Sequence, residues 1–180
     1  MNKAILSAAG ILFFIASLYA QETYIPVTAA SKVHFVIKNF GIKTGGDFSG
    51  LTGFIKFNPA NYAAAVFDVT VNANSIDTDN SLRDGHLKKA DYFHVDKFKT
   101  LSFKSTKVVL SSTGGRFYMY GDLTIKGVTK PVEFGFSATP KDGGFLFDGA
   151  FEINRRDFGV GGKSISIGDN VTVSLSVFAK

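Results

Sequence analysis

The sequence contains no cysteine and no tryptophan, and it has only three histidines among its 180 residues. Without cysteine, the chain can form no disulfide, and it offers neither a thiolate metal ligand nor a cysteine nucleophile. A lipid anchor attached to cysteine by the bacterial lipoprotein route is excluded as well. The fold must therefore be held together by the packing of its own core.

The chain also lacks a dense cluster of basic residues. Lys and Arg total 20 against 15 Asp and Glu, which gives a formal net charge of +5, and the lysines are scattered along the sequence. A mild and scattered excess of positive charge argues against nucleic-acid binding. Transient contact with an anionic membrane surface stays open as an alternative.

The first 20 residues have the composition of an export signal. Lys3 precedes the apolar run AILSAAGILFFIASLYA, and Ala20 provides a small residue for cleavage. We expect residues 1–20 to be a signal peptide and residues 21–180 to form a single domain that is periplasmic or secreted. The alternative is an uncleaved membrane anchor, although the apolar run is slightly short for a span.

Most of the remaining chain alternates apolar and polar residues with a period of two, which is typical of half-buried β-strands. Phenylalanine occurs 19 times in the sequence, and all but Phe13 and Phe14 lie after residue 20, where they supply much of the apolar face. Eight segments show the pattern: 32–40, 47–57, 63–72, 99–110, 116–126, 132–139, 145–154 and 171–178. We predict an all-β fold, an eight-stranded antiparallel barrel, although a sandwich satisfies the same pattern.

The stretch Asn80–Asp96, NSLRDGHLKKADYFHVD, interrupts this period. Asn80 can cap a helix, and the lysines that follow Leu87 suit its C-terminal end. We therefore predict one short helix after the third strand. It brings Arg83 and His86 together on a segment that we expect to cover part of the barrel.

Motifs along nearly the whole remaining chain resemble those of the YceI family of exported, polyisoprenoid-binding proteins. They are FVIKN at 35–39 followed by Gly41-Ile42, GFIKFNP at 53–59, NSIDT at 74–78, RDGHLK at 83–88 leading to ADYF at 90–93, FKST at 103–106, GDLTIKGVTKPV at 121–132 and INRRDFGV at 153–160. The resemblance implies a lipocalin-like antiparallel barrel with an apolar pore that takes a long isoprenoid chain, without catalysis.

The apolar positions of the strands are the candidates for lining such a pore. They are Phe35, Ile37, Phe67, Leu101, Phe103, Phe117, Met119, Phe134, Phe136, Phe147, Phe151, Val173 and Leu175. Small residues at neighbouring inward positions, such as Gly121 and Gly149, would leave space for a lumen. Alternatively, the phenylalanine rings fill that space and the same residues form an ordinary core.

Three polar residues are candidates for holding the head group of a lipid: Arg83, His86 and Arg155. Cationic side chains near a helix start can donate charge-assisted hydrogen bonds to an anion such as a diphosphate. The alternative is that they only fix the helix and the glycine-rich loop after residue 158. No two histidines have the spacing of metal ligands on a helix, and no nucleophile motif is present, so we predict neither a metal site nor catalytic residues.

The sequence therefore predicts non-catalytic binding of a long apolar lipid, for carriage, storage or stress protection. A polyisoprenoid, a polyprenyl diphosphate or an isoprenoid quinone fits this description, and no cofactor is expected beyond the bound lipid. Two alternatives stay open: an exported structural or stress protein with a filled core, and an enzyme that acts on lipids through His86. We expect the protein to be a monomer or a homodimer.

Overall fold

The computed structural model describes residues 21–112 and 114–180, so the predicted signal peptide lies outside the described residues. The described chain forms β1 Glu22–Tyr24, β2 Lys32–Asn39, β3 Ile42–Phe48, β4 Thr52–Phe57, β5 Val66–Asn72, β6 Thr100–Leu110, β7 Arg116–Ile125, β8 Val128–Lys141, β9 Gly144–Asn154 and β10 Ile167–Ala179. One α-helix, α1 at Ser81–Leu87, and four short 3-10 helices occur in these residues. None of these helices has the length and apolar character needed to cross a membrane.

All ten strands belong to one antiparallel sheet with the order β1-β4-β5-β6-β7-β8-β9-β10-β2-β3. The sheet is curled, as a contact between distant strands shows. Pro26, two residues after β1, forms a β-bridge with Ala179 at the end of β10. On the other edge, Asp47 of β3 exchanges two backbone hydrogen bonds with Asp77, at 2.8 and 3.1 Å. Both edges of the sheet are thus partly covered, which protects them from pairing with another chain.

The all-β antiparallel prediction is confirmed, but the predicted count of eight strands is wrong. The predicted strand 47–57 is divided between β3 and β4, because the chain turns at Gly50, whose φ is +70°. Between the predicted strands 32–40 and 47–57, the turn consists of Phe40 and Gly41 alone, and β3 begins at Ile42. Strand β1 at Glu22–Tyr24 is additional to the predicted strands. With β1 and the divided strand, α1 follows the fifth strand of the structure and not the third.

Helix α1 begins where the sequence predicts it. The Asn80 Oδ1 atom accepts a hydrogen bond from the Arg83 backbone N–H at 3.0 Å, which satisfies one of the free donors of the first turn. The Asp84 carboxylate accepts hydrogen bonds from the backbone N–H and the hydroxyl of Thr78. These contacts fix the start of the helix against the segment that pairs with β3.

A cluster of phenylalanines fills one end of the curled sheet. Phe57, which has no exposed surface, meets the rings of Phe67, Phe117, Phe145 and Phe147 edge-on, with centroid distances of 5.2 to 6.3 Å. Edge-to-face contacts of this kind add stability beyond the burial of apolar area. We call these five residues, with Met119 and Phe136, the aromatic plug.

The short strand β1 is held against the sheet partly by Tyr24, which is buried and donates a hydrogen bond of 2.5 Å to the Glu22 carboxylate. Burial, together with that hydrogen bond and the negative charge of Glu22, raises the pKa of Tyr24 from 10.0 to about 12. Below pH 10 both the folded and the unfolded protein keep the phenol proton. Above it the unfolded chain loses the proton first, so unfolding becomes easier.

We therefore expect the wild-type protein to lose stability between pH 10 and pH 12 by more than the Tyr24→Phe variant does. The measurement is chemical denaturation at a series of alkaline pH values, followed by circular dichroism. Identical pH profiles for the two proteins would contradict the assigned role of Tyr24.

Candidate functional site

A cavity of about 470 Å³ occupies the end of the curled sheet opposite the aromatic plug. Its wall includes Asn39 at the end of β2, Ile125 at the end of β7 and Ile167 at the start of β10. The plug residues, in contrast, lie at the other ends of their strands, such as Phe57 at the end of β4 and Phe117 near the start of β7. The volume lies within the range of about 300–1,000 Å³ that is typical of small-molecule sites.

Eight of the thirteen predicted pore residues lie on the wall of this cavity: Phe35, Ile37, Leu101, Phe103, Phe134, Phe151, Val173 and Leu175. The other five are absent from the wall and lie in the aromatic plug: Phe67, Phe117, Met119, Phe136 and Phe147. The interior is thus divided into an open part and a filled part. The sequence left two alternatives, an open lumen and a core filled by phenylalanine rings. The first describes the cavity end of the sheet, and the second describes the end that holds the aromatic plug.

Two inward-facing glycines show how the rings limit the cavity. A side chain at Gly121 would begin only 2.4 Å from the Phe103 ring, and one at Gly149 only 3.2 Å from the Phe134 ring. The space left by these small residues is therefore occupied by phenylalanine rings. The open volume borders these rings, since Phe103 and Phe134 both belong to the cavity wall.

Arg83 is a charged residue of the wall with unused hydrogen-bonding capacity. Its Nε atom donates to the Thr78 hydroxyl at 2.8 Å and its Nη2 atom to the Thr78 carbonyl at 2.5 Å. Nη1 has no partner among the described residues, and no described carboxylate lies within ion-pair distance of the guanidinium. Thr78 thus fixes a positive charge that borders an apolar cavity and stays available to an anion.

His86 is the exposed residue of the wall, so solvent reaches the cavity beside α1. Its ring contacts the Tyr92 ring edge-on at a centroid distance of 4.9 Å. Within the described chain, no three His, Cys, Asp or Glu side chains lie close enough together to hold a metal ion. His86 and Arg83 therefore form the polar side of the opening.

Arg155 also reaches the cavity wall, but its donors are engaged. Its guanidinium donates to Val160 O at 2.8 Å, Gly162 O at 3.1 Å, Ile167 O at 3.4 Å, Gly168 O at 2.9 Å and Asp169 Oδ1 at 2.9 Å. The side chain is only 5% exposed. These contacts tie the loop between β9 and β10 to the sheet. They account for Arg155 without a ligand, whereas Arg83 keeps a free donor.

Sequence reasoning missed several wall residues that lie outside the period-two segments. Tyr92 and Phe93 follow α1, Phe158 and Val160 follow β9, and Thr78 precedes α1. The available signal was the motifs that contain them: NSIDT at 74–78, ADYF at 90–93 and RRDFGV at 155–160. Apolar residues in two long irregular segments indicate that both segments pack over the same interior.

The curled antiparallel sheet and its cavity define a lipocalin-like barrel. A family model described as YceI-like domain matches residues 24–179. A protein named UPF0312 protein from Ectopseudomonas mendocina is 38% identical over 136 residues, which cover 71% of this chain and 70% of the relative. The chain belongs to the YceI-like family.

Solved structures share this fold. Burkholderia cenocepacia BcnA superposes with a TM-score of 0.81 at 25% identity, over 86% of this chain and 99% of BcnA. A polyisoprenoid binding domain from Saccharophagus degradans, implicated in plant cell wall breakdown, superposes with a TM-score of 0.69 over 87% of this chain and 97% of that domain. Its identity to this chain is 16%, so this likeness concerns the fold.

Proposed function

We propose that this protein is an exported, non-catalytic lipid-binding protein that holds an isoprenoid tail in the cavity. The observation that carries the proposal is an apolar cavity of about 470 Å³ with a fixed, unpaired arginine at its polar side. The Saccharophagus degradans domain, whose fold this chain shares, is described as polyisoprenoid-binding. That description supports the same class of ligand for this cavity.

The apolar wall supplies most of the affinity in this proposal. Burying one five-carbon isoprenoid unit contributes about 2 kcal/mol before the cost of binding. Rings from β2, β6 and β9, such as Phe35, Phe103 and Phe151, would contact the tail. Several units therefore give useful affinity without any polar contact, which suits carriage or storage of a lipid that leaves its membrane.

The polar side of the opening favours an anionic head group. Arg83 offers Nη1 and a net positive charge, and His86 lies on the same helix beside the opening. A charge-assisted hydrogen bond to a phosphate oxygen is stronger than one between neutral groups. We therefore place a diphosphate or similar anion at Arg83 and the tail along the wall.

The contacts of His86 support binding rather than catalysis. Its described ring contact is with Tyr92, and no described carboxylate lies within ion-pair distance of its ring. Asp84, the acidic residue of the same helix, is committed to Thr78. A general base needs a partner that orients it and sets its protonation state, and this site provides none within the described chain.

Arg83→Met tests the head-group assignment. We expect the variant to bind farnesyl diphosphate about tenfold more weakly than the wild type, because one charge-assisted hydrogen bond is lost. Its affinity for farnesol should stay unchanged. Both affinities can be measured by isothermal titration calorimetry.

The matched control is Arg116→Met, which removes the same charge at the opposite end of the sheet, where β7 begins. This control should bind both ligands like the wild type. If Arg83→Met loses farnesol as well, the arginine acts on the shape of the cavity and not on the head group. If neither ligand binds the wild-type protein, the proposed function fails.

A further inference from the structure

Three large apolar side chains are exposed together at the cavity end of the sheet. Phe40 is 80% exposed, Ile42 is 71% exposed and Ile165 is fully exposed. The Phe40 N–H donates to Ser166 O at 2.7 Å, which joins the β2–β3 turn to the segment that carries Ile165. Single exposed apolar residues are common, but a contiguous group of them marks a contact surface.

Phe40 also occupies a backbone position that does not suit it. Its φ is +48° and that of Gly41 is +76°, so the two residues form a tight hairpin turn that favours Asn-Gly. A bulky residue with positive φ is an outlier, and asparagine would adopt this conformation at a lower cost. The stability of the fold therefore gives no reason for a phenylalanine at this exposed position with positive φ.

Exposed lysines surround the same residues. Lys38 and Lys43 face each other across β2 and β3, and Lys163 precedes Ile165 by two residues. All three are exposed, and none of them forms an ion pair within the described chain. We call Phe40, Ile42 and Ile165 with these three lysines the docking rim.

The docking rim adjoins the cavity. Asn39 pairs with Ile42 across β3 and with Ile167 across β10, and both Asn39 and Ile167 lie on the cavity wall. Leu82, which is 87% exposed, lies on α1 next to Arg83. The exposed apolar residues thus stand beside the polar residues through which a lipid would enter.

We propose that the docking rim binds the surface of an anionic phospholipid bilayer, which places the cavity opening against the membrane. The inference rests on the proposed function, since it assigns the route by which a lipid reaches the cavity. Apolar rings flanked by cations match the interface of an anionic leaflet, where the rings enter the headgroup region and the lysines meet the phosphates. A protein partner with an apolar patch does not account for three unpaired lysines on one rim.

The experiment is flotation of the mature protein with vesicles of phosphatidylcholine and phosphatidylglycerol, and with vesicles of phosphatidylcholine alone. We expect binding to the mixed vesicles that weakens as the salt concentration rises, and little binding to the neutral ones. Phe40→Asn should reduce the affinity for mixed vesicles about tenfold, because a buried ring is lost from the interface. The same variant should unfold at an unchanged or higher temperature, because asparagine suits the turn.

Two further variants keep the test decisive. Ile165→Ser removes an apolar residue of the rim outside the turn and should weaken vesicle binding in the same direction. Leu110→Ser is the matched control, because Leu110 is 55% exposed at the opposite end of the sheet, and it should bind vesicles like the wild type.

Farnesol titration without vesicles separates this inference from the proposed function. The docking-rim proposal fails if the wild-type protein takes up farnesol but does not bind the mixed vesicles. It also fails if the rim variants bind these vesicles like the wild type. In both cases the proposed lipid cavity is unaffected. Wild-type protein that binds vesicles but no farnesol would overturn the proposed function and the loading role of the rim with it. Loss of vesicle binding in both rim variants, with farnesol uptake intact, supports the proposal.

Discussion

Replacing Arg155 by methionine is expected to lower the free energy of unfolding by about 3–5 kcal/mol. The substitution keeps much of the apolar stem but removes the guanidinium, which donates to Val160 O, Gly168 O and Asp169 Oδ1. The two other acceptors, Gly162 O and Ile167 O, lose their contacts as well. A buried acceptor that loses its donor keeps the full desolvation penalty. Urea denaturation at neutral pH, followed by circular dichroism, measures the loss.

Arg156→Met is the control for this variant. Arg156 also donates to Asp169, at 3.2 Å, but its side chain is 46% exposed. An exposed ion pair contributes at most about 1 kcal/mol, so we expect this substitution to change stability little. An Arg155→Met protein as stable as the wild type but unable to bind farnesyl diphosphate would contradict the structural role and restore Arg155 as a head-group residue.

Val173→Trp is expected to reduce the affinity for farnesol roughly 30-fold while the protein stays folded. Val173 lies on the cavity wall between Phe35 and Phe151 of the neighbouring strands. An indole ring there takes the space of one isoprenoid unit, whose burial contributes about 2 kcal/mol. Calorimetric titration with farnesol gives the affinity, and circular dichroism reports whether the sheet is retained.

The adjacent residue provides the control for Val173→Trp. Thr172 is exposed and points to the other face of β10, so Thr172→Trp adds the same ring outside the barrel. We expect this variant to bind farnesol like the wild type. If both variants, or neither of them, lose farnesol binding, the ligand does not occupy the cavity lined by Val173.

The period-two pattern predicts the strands well because each strand has one buried and one wetter face. The pattern does not predict the strand boundaries correctly between residues 41 and 57, where some glycines lie in a strand and another lies in a turn. Gly45 and Gly46 belong to β3, where the rings of His34 and Phe35 lie against them, whereas Gly50 has a positive φ in the turn between β3 and β4. The same residue type plays two roles, and only the three-dimensional neighbours decide between them.

The division of the interior into plug and cavity also escapes the sequence pattern. Phe134 and Phe136 occupy equivalent inward positions of β8, yet Phe134 lies on the cavity wall and Phe136 packs into the plug. Which rings meet each other depends on the stagger between neighbouring strands, which the alternation of residues does not contain. The sequence therefore predicts an aromatic interior without showing how much of it is open.

The roles of the two arginines differ for a related reason. The residues that engage Arg155 do so mainly through backbone carbonyls, which any residue type provides, so no side-chain motif signals them. Arg83 is held by Thr78, five residues before it, through contacts that a helix start makes local. Local contacts can be anticipated from sequence, while a loop that folds over a distant guanidinium cannot.

The central claim is that the cavity holds an isoprenoid lipid. Native mass spectrometry of the protein purified from its own host, followed by organic extraction, tests it most directly. We predict a bound species at one per protein whose homologues differ by the mass of an isoprenoid unit. A ligand-free protein that also takes up no added polyprenol or quinone would contradict the claim and leave a structural barrel without a lipid ligand.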